Sequence, residues 1–276
     1  MSKIIDMSLY SESRGNKIIG MPLRFNDSYV EFVGENNVLL FEADVILNKC
    51  SFTFKGNNSL VFICGSVEPI SLNIQIYTDS TVYVGDNLAT NGAMSIIASE
   101  ACHVFLGNEC LISKSCSIRT GDAHRVYDIT TGMRVNEGKS VFLGDHVWLG
   151  WGVNVLKGSR LYSGTFAGIG AVLTGKEYFS NTAYGGNPAK PIKRNVCYDK
   201  RGTHGMNDSD KKKIFHINSK ELENFIFKQD ESTMPFSEID EILVKTKDIQ
   251  ERIDYLKSLR KCYTHNRFSK DYMFEE

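Results

Sequence analysis

The sequence predicts a parallel β-helix, built from six-residue repeats, across the middle of a 276-residue chain. Three observations predict it. A strand-and-turn motif recurs along the chain. Aliphatic residues fall into a six-residue register after Gly107 and again after Gly144. That six-residue period fits no helical face, because it sets successive members about 240° apart around a helix.

The motif is an alternation of apolar residues, then glycine, then an acidic or amide residue. It reads Val30-Glu31-Phe32-Val33-Gly34-Glu35-Asn36, Phe52-Thr53-Phe54-Lys55-Gly56-Asn57, Val82-Tyr83-Val84-Gly85-Asp86-Asn87, Val104-Phe105-Leu106-Gly107-Asn108-Glu109 and Val141-Phe142-Leu143-Gly144-Asp145-His146. Each copy is expected to be a short strand closed by a Gly-Asp/Asn turn. In the finer register Leu106, Ile112 and Ile118 are six apart. So are Leu143, Leu149, Val155, Leu161, Ala167 and Leu173, with a second small or apolar residue two positions before each. One inward aliphatic per flat face and three faces per coil give coils of about 18 residues that stack by backbone hydrogen bonds. An antiparallel β-sandwich also has short strands with turn signals, but it does not demand six aliphatics in strict register.

Two stretches break the repeat. Arg119 to Lys139 has no hexads and is rich in Gly, Asp and Thr, so residues 119–140 are expected to be a loop extruded from the β-helix. Before about residue 82 the hexads are lost although the motif persists, which predicts irregular coils. The domain expectation is a β-helix over 1–198 and a charged, partly helical extension over 199–276. In the extension Asp208 to Lys213 is expected to be a linker. Ser219 is expected to cap a short helix through Phe227. Ser237 is expected to cap a longer one, with Asp240 at capping-box distance. One face of that longer helix carries Ile239, Ile242, Leu243, Ile249, Ile253, Leu256 and Leu259; it either packs on the β-helix or joins copies of itself.

A net charge of −1 excludes bulk electrostatic binding of nucleic acid or an anionic membrane. No apolar stretch approaches the ~18 residues that span a bilayer. The first twenty residues lack a signal peptide's apolar segment. The seven cysteines form no C-x-x-C pair, and their odd number is a poor disulfide framework, so a reduced cytoplasmic protein is expected.

The chemistry-bearing residues lie in and after the loop. Gly121-Asp122-Ala123-His124 places a histidine on a projection from a rigid scaffold, where it can act as a general base at neutral pH. Then follow His146-Val147-Trp148-Leu149-Gly150-Trp151-Gly152 and Gly186-Asn187-Pro188-Ala189-Lys190-Pro191-Ile192-Lys193-Arg194. Over roughly Val82 to Arg194 these segments resemble the hexapeptide-repeat acyltransferases. The loop pattern through Gly132 and Asn136-Glu137-Gly138-Lys139 looks most like that of bacterial capsule polysaccharide and sialic acid O-acetyltransferases.

The resemblance implies a left-handed coil, a homotrimer with sites between subunits, and acetyl-CoA as co-substrate. It implies His124 as the base that deprotonates a sugar hydroxyl for direct transfer, with Trp148 beside the thioester end of the coenzyme. Pantetheine would run past small residues such as Gly150, Ala167 and Gly168, and Lys157, Lys176, Lys190 and Lys193 would meet the coenzyme phosphates. Asp122, Tyr127 and Arg134 are the acceptor-binding candidates, Arg134 being best suited to a carboxylate. Asp122 alternatively stabilises the loop turn, and Arg194 either meets phosphate or anchors the extension. His103, expected to face outward, His124 and His146 are too widely spaced for the zinc site of a γ-class carbonic anhydrase, so no metal is expected. The alternatives are a small sugar or nucleotide-sugar amine as acceptor and, more remotely, a non-catalytic binding β-helix.

Overall fold

A computed structural model describes residues 3–213 and 216–272, with Lys211, Lys212 and Lys213 described by backbone only. The chain winds round three faces of parallel strands. The first face stacks Lys17–Ile19, Val38–Phe41, Leu60–Ile63, Thr81–Val84, His103–Leu106, Val141–Leu143, Arg160–Leu161 and Glu177–Tyr178. The second begins with Arg24–Asn26 and Ile46–Asn48. It continues through Ile70 to Ala89–Asn91, Leu111–Ser113, Trp148–Leu149, Phe166–Ala167 and Thr182–Gly185. The third stacks Tyr29–Phe32, Ser51–Phe54, Leu72–Ile76, Met94–Ala98, Ser117–Arg119, Asn154–Val155 and Val172–Leu173. The predicted parallel β-helix is therefore observed. Its inward register is also as expected: Leu143, Leu149, Val155, Leu161, Ala167 and Leu173 all lie in one buried core.

The N-terminal coils are longer rather than disordered in register. Val38 pairs with Leu60 and Tyr29 with Ser51, each 22 residues on. After the extruded loop the step falls to the hexad value, Asn154 pairing with Val172. Strands of four or five residues replace the two-residue strands of the later coils, which is why six-residue spacing is absent from the early sequence.

The repeated Gly-Asp/Asn turn has two causes. A Cβ on Gly107 would lie 2.5 Å from the carbonyl carbon of Gly144 in the next coil, so the corner admits only glycine. The following side chain serves the coil before it. Asn108 Oδ1 accepts from the Asp86 amide at 3.0 Å, and Asp145 Oδ1 accepts from the Asn108 amide at 2.6 Å.

The coil ends on an antiparallel strand, Lys190–Arg194, whose five side chains are exposed and include two lysines and a proline. Such residues blunt a sheet edge against further pairing. Pro188, in a cis bond with Asn187, lies in this final turn.

The extension forms α1 (Asp208–Lys213), α2 (Ser219–Glu223), α3 (Phe236–Lys245) and α4 (Ile249–Lys261). Several expectations are corrected here. Asp208 to Lys213 is helical. Asn218, not Ser219, caps α2, which ends at Glu223. Ser237 caps nothing: the chain enters α3 from Pro235 without a side-chain cap, and the helix stops at Thr246. Asp248 then starts α4 by accepting from the Glu251 amide.

The apolar face of α3 and α4 packs on the β-helix. Ile239, Leu243, Ile253, Leu256 and Leu259 cover the outward side chains of the first face, including Phe62, Tyr83, Phe105 and Phe142. From Val38–Phe41 to Val141–Leu143 the first face is thus buried on both sides. Arg267 fixes this cover: it makes two hydrogen bonds of 2.8 Å to the Asp145 carboxylate, both groups being buried. Arg260 does the same to Asp86 at 2.9 Å.

His103 points out of the coil as expected, yet it is buried, because α4 lies over it. Its Nδ1 accepts from the Thr81 amide at 3.1 Å. Burial and the nearby Arg252 guanidinium hold its pKa down to about 3.

Arg267→Met leaves the Asp145 carboxylate buried without its counter-charge. A loss of about 3–5 kcal/mol is expected in urea unfolding; a loss below about 1 kcal/mol would remove this pair as the anchor. His103 generates a pH dependence. Its folded pKa lies below its unfolded value near 6.5, so the unfolded chain takes up the proton first as pH falls. The stabilisation is complete above about pH 6.5 and is lost progressively toward about pH 3. His103→Asn keeps an acceptor for Thr81, and its urea midpoint is expected to fall less steeply than wild type between pH 6.5 and 4.

Candidate functional site

The extruded loop leaves the corner between the third and first faces and is tied shut at its base, where the Lys139 amide donates to the Thr120 carbonyl at 2.9 Å. Beyond the base it is a short hairpin. Tyr127 and Arg134 pair antiparallel, and the Val135 amide donates to the Val126 carbonyl at 3.0 Å. Asp128 Oδ1 accepts from the amides of Thr130 and Thr131 and forms the tip. The loop is built by its own hydrogen bonds rather than draped over the coil.

His124 sits at the root of this hairpin and is exposed. Among the described residues no hydrogen bond or ion pair engages its imidazole. Its backbone is held instead: the carbonyl accepts from Asn136 Nδ2 at 2.8 Å. The same nitrogen donates to Asp122 Oδ2 at 3.0 Å, while Asn136 Oδ1 accepts from the Val126 amide at 2.8 Å and from Arg134 Nε at 3.2 Å. Lys157 reaches up from the coil below to Asp122 at 2.5 Å and to the Asn136 carbonyl at 3.0 Å. That contact holds the Asp122 carboxyl below the usual range. Arg134 is paired with Glu100 at 2.7 Å, and Glu100 also accepts from the Gly138 amide.

The expected site residues therefore fall into two groups. His124, Asp122, Tyr127, Arg134 and Lys157 share the loop and its root. Asp122 and Arg134 have partners within the loop network, and Tyr127 is half-exposed. Lys176 lies near this group, on a groove of about 470 Å³ between the loop base and α3 that also includes Lys139 and Arg160.

The second group lies on the second face. Trp148 is half-buried, stacks on Phe166 at 5.5 Å, and is crossed by Tyr198 of the chain leaving the coil at 5.4 Å. The Gly150 amide donates to the Ala167 carbonyl and the Gly168 amide to the Tyr184 carbonyl, each at 2.8 Å. Ala167 turns its side chain into the core, whereas Gly152 and Gly170 have open space where a side chain would stand. This leaves bare backbone along the corner between the second and third faces. Lys190 and Lys193 are exposed on the closing strand beside it. Within one chain, Trp148 and His124 stand on different parts of the coil.

His146 belongs to neither group. It is buried beneath Tyr198 at a ring distance of 4.2 Å, its Nε2–H placed to donate to the Tyr198 carbonyl at 3.1 Å, and burial pushes its pKa down. Arg194 lies 3.6 Å over the Tyr272 ring and anchors the extension. Among the described residues no cluster of histidine, cysteine or acidic side chains is arranged to hold a metal, and no helix is long and apolar enough to cross a membrane.

Asn136 and Tyr198 were not read from the sequence as functional. Asn136 stands in a segment whose pattern was noticed, but an asparagine in a polar loop carries no burial signal. Tyr198 follows the last repeat, where no period remains to place it.

No family model matches the chain. It is similar to a polysialic acid O-acetyltransferase of Neisseria meningitidis, 29% identical over 198 residues, covering 71% of this chain and 92% of the relative. A second similar protein, a polysialic acid O-acetyltransferase of Escherichia coli O1:K1, is 31% identical over 151 residues, covering half of this chain and 48% of the relative. Among solved structures, the polySia-specific acetyltransferase NeuO superposes with a TM-score of 0.64 at 30% identity. That match covers 72% of this chain and 91% of NeuO.

The aromatic cover of Trp148 is testable without any ligand. In a Trp151→Phe background, Tyr198→Ala is expected to raise the acrylamide quenching of Trp148 fluorescence and to cost about 3–5 kcal/mol of stability. Unchanged quenching would show that Tyr198 does not shield the indole.

Proposed function

Because the chain belongs to the hexapeptide-repeat acyltransferases of left-handed β-helix fold and is an acetyltransferase, we propose that it O-acetylates a capsular polysaccharide built of sialic acid, with acetyl-CoA as donor. The observation that carries this reading is the similarity to polysialic acid O-acetyltransferases over nine-tenths of the Neisseria protein's length, joined to a histidine exposed on an extruded loop.

His124 is the general base. Its imidazole takes the proton of the acceptor hydroxyl as that oxygen attacks the thioester carbonyl. The carbon–sulfur bond breaks, and the imidazolium returns its proton to the departing coenzyme A thiolate. No residue is acylated. A positioned base supplies about 10²–10⁴-fold in rate, and holding both substrates together supplies more. Trp148 borders the thioester end. The bare corner at Gly150, Ala167 and Gly168 receives the pantetheine, with Lys190, Lys193 and Lys176 toward the phosphates. Tyr127 faces the acceptor, and the Asp122 and Arg134 side chains shape its approach.

The two groups of residues stand apart within one chain, which supports a homotrimer whose sites lie in the grooves between coils. In this reading residues 1–198 are the catalytic domain and 199–276 a brace on its first face. The enzyme works in the cytoplasm, a location that its seven free cysteines suit.

The test is thiol release from acetyl-CoA by purified protein with sialylated, neutral and amino-sugar acceptors, beside His124→Ala. Turnover dependent on the sialylated polymer, with kcat reduced about 10²–10⁴-fold in the variant, is the expected result. Turnover that survives the substitution removes His124 as base, and preference for an amino-sugar acceptor replaces O- by N-acetylation.

A further inference from the structure

A general base must be held to within a fraction of an ångström of its target, yet among the described residues no side chain holds the His124 ring. Its position rests on the backbone at residue 124, whose carbonyl is held, among the described residues, by the Asn136 side chain.

We infer that Asn136 is the positioning residue of the site, acting on His124 through its carbonyl, and that Lys157 locks Asn136 and Asp122 together rather than binding coenzyme phosphate. This rests on His124 being the base. Every hydrogen-bonding valence of the Asn136 amide is used. Its two protons go to the His124 carbonyl and Asp122, and its oxygen accepts from the Val126 amide and Arg134. An amide has two donors and two acceptor lone pairs, so the set is complete. The chain on both sides of His124 is thereby tied to the returning strand of the loop. Between residues 122 and 139 Asn136 alone is buried, 9% exposed beside Val135 and Glu137, which stand in solvent. Lys157 spends its ammonium on the Asp122 carboxylate and the Asn136 carbonyl, so the network is fastened to the rigid coil below.

The chemistry admits no ready substitute. Aspartate at 136 would keep the shape but lose both donors and face the Asp122 carboxylate. Glutamine is one carbon too long for the same four partners. Alanine would release both strands at once.

The experiment compares wild type, Asn136→Ala, Asn136→Asp, Lys157→Met and His124→Ala in the thiol-release assay. Amide hydrogen exchange on the same intact proteins reports the loop independently of turnover. Asn136→Ala is expected to speed exchange at the Val126 amide and to lower kcat about 10²-fold, the cost of misplacing a reacting group by about an ångström. KM for acetyl-CoA should stay within twofold. Asn136→Asp, which keeps the shape and loses both donors, should lower kcat in the same way at the same unchanged KM. Lys157→Met should lower kcat about tenfold with the same unchanged KM. Asn136→Asp, being nearly isosteric, separates misplacement from misfolding.

Unchanged exchange at Val126, or kcat within twofold of wild type in Asn136→Ala while His124→Ala is inactive, overturns the inference and leaves the proposed base standing. A rise in KM for acetyl-CoA in Lys157→Met at constant kcat returns Lys157 to the coenzyme and overturns its part. Turnover that survives in His124→Ala sinks the base and this inference with it.

Discussion

Coil-to-coil stacking at the corners is the constraint on which the rest of the molecule depends. At Gly107 the backbone of one coil comes so close to Gly144 in the next that no side chain fits between them. The corner amides this exposes are satisfied by the next acid or amide in the column, Asn108 for Asp86 and Asp145 for Asn108. A buried amide without a partner costs more than an average hydrogen bond contributes. The glycine and the acid therefore come as a pair, and their recurrence is what makes a coil of this shape continue.

The same acids carry the second layer. Asp145 accepts from the coil with one oxygen and binds Arg267 with both. Asp86 binds Arg260 likewise. The C-terminal helices are thus fastened to the very corners that set the register, and their apolar faces cover the aromatic row Phe62, Tyr83, Phe105 and Phe142. A solenoid face left bare would expose such a row to solvent. Here the extension removes that liability, and burying the row fixes the position of the strand on which the loop returns, Val141–Leu143.

What could be read from the sequence follows from this division. The lumen was legible to the residue, because period six has one physical meaning and Leu143 to Leu173 obey it without exception. The early coils were less so: a 22-residue step has no short period, although the Gly34 and Gly56 spacing already carried it. The helices of the extension were half legible. Their apolar faces were legible, but the apolar register that runs on from Ile242 to Ile249 masked two local signals, the proline entry to α3 and the Asp248 cap that starts α4. His103 faces outward as its strand alternation predicts, but its burial was not legible, because what covers it comes from about 150 residues along the chain. At the site, His124 and Trp148 could be singled out by resemblance, whereas the partners of Lys157 and Arg134 could not, because both are set by long-range geometry within an aperiodic loop.

The loop's place in the coil explains how a mobile-looking sequence can hold a fixed shape. It is inserted between Arg119 and Val141, where the third face turns into the first, and the coils on either side keep their register across it: Val104 pairs with Val141 as if nothing intervened. The entropic cost of closing such a loop grows only slowly with its length, so the coil tolerates the insertion. Tolerance alone would leave His124 swinging. The loop meets this with a hairpin of its own and one saturated asparagine, pinned by Lys157 to the coil beneath. Rigidity is thus imported from the solenoid through Lys157 and through Glu100, which holds Arg134 and the Gly138 amide, while the His124 side chain stands exposed.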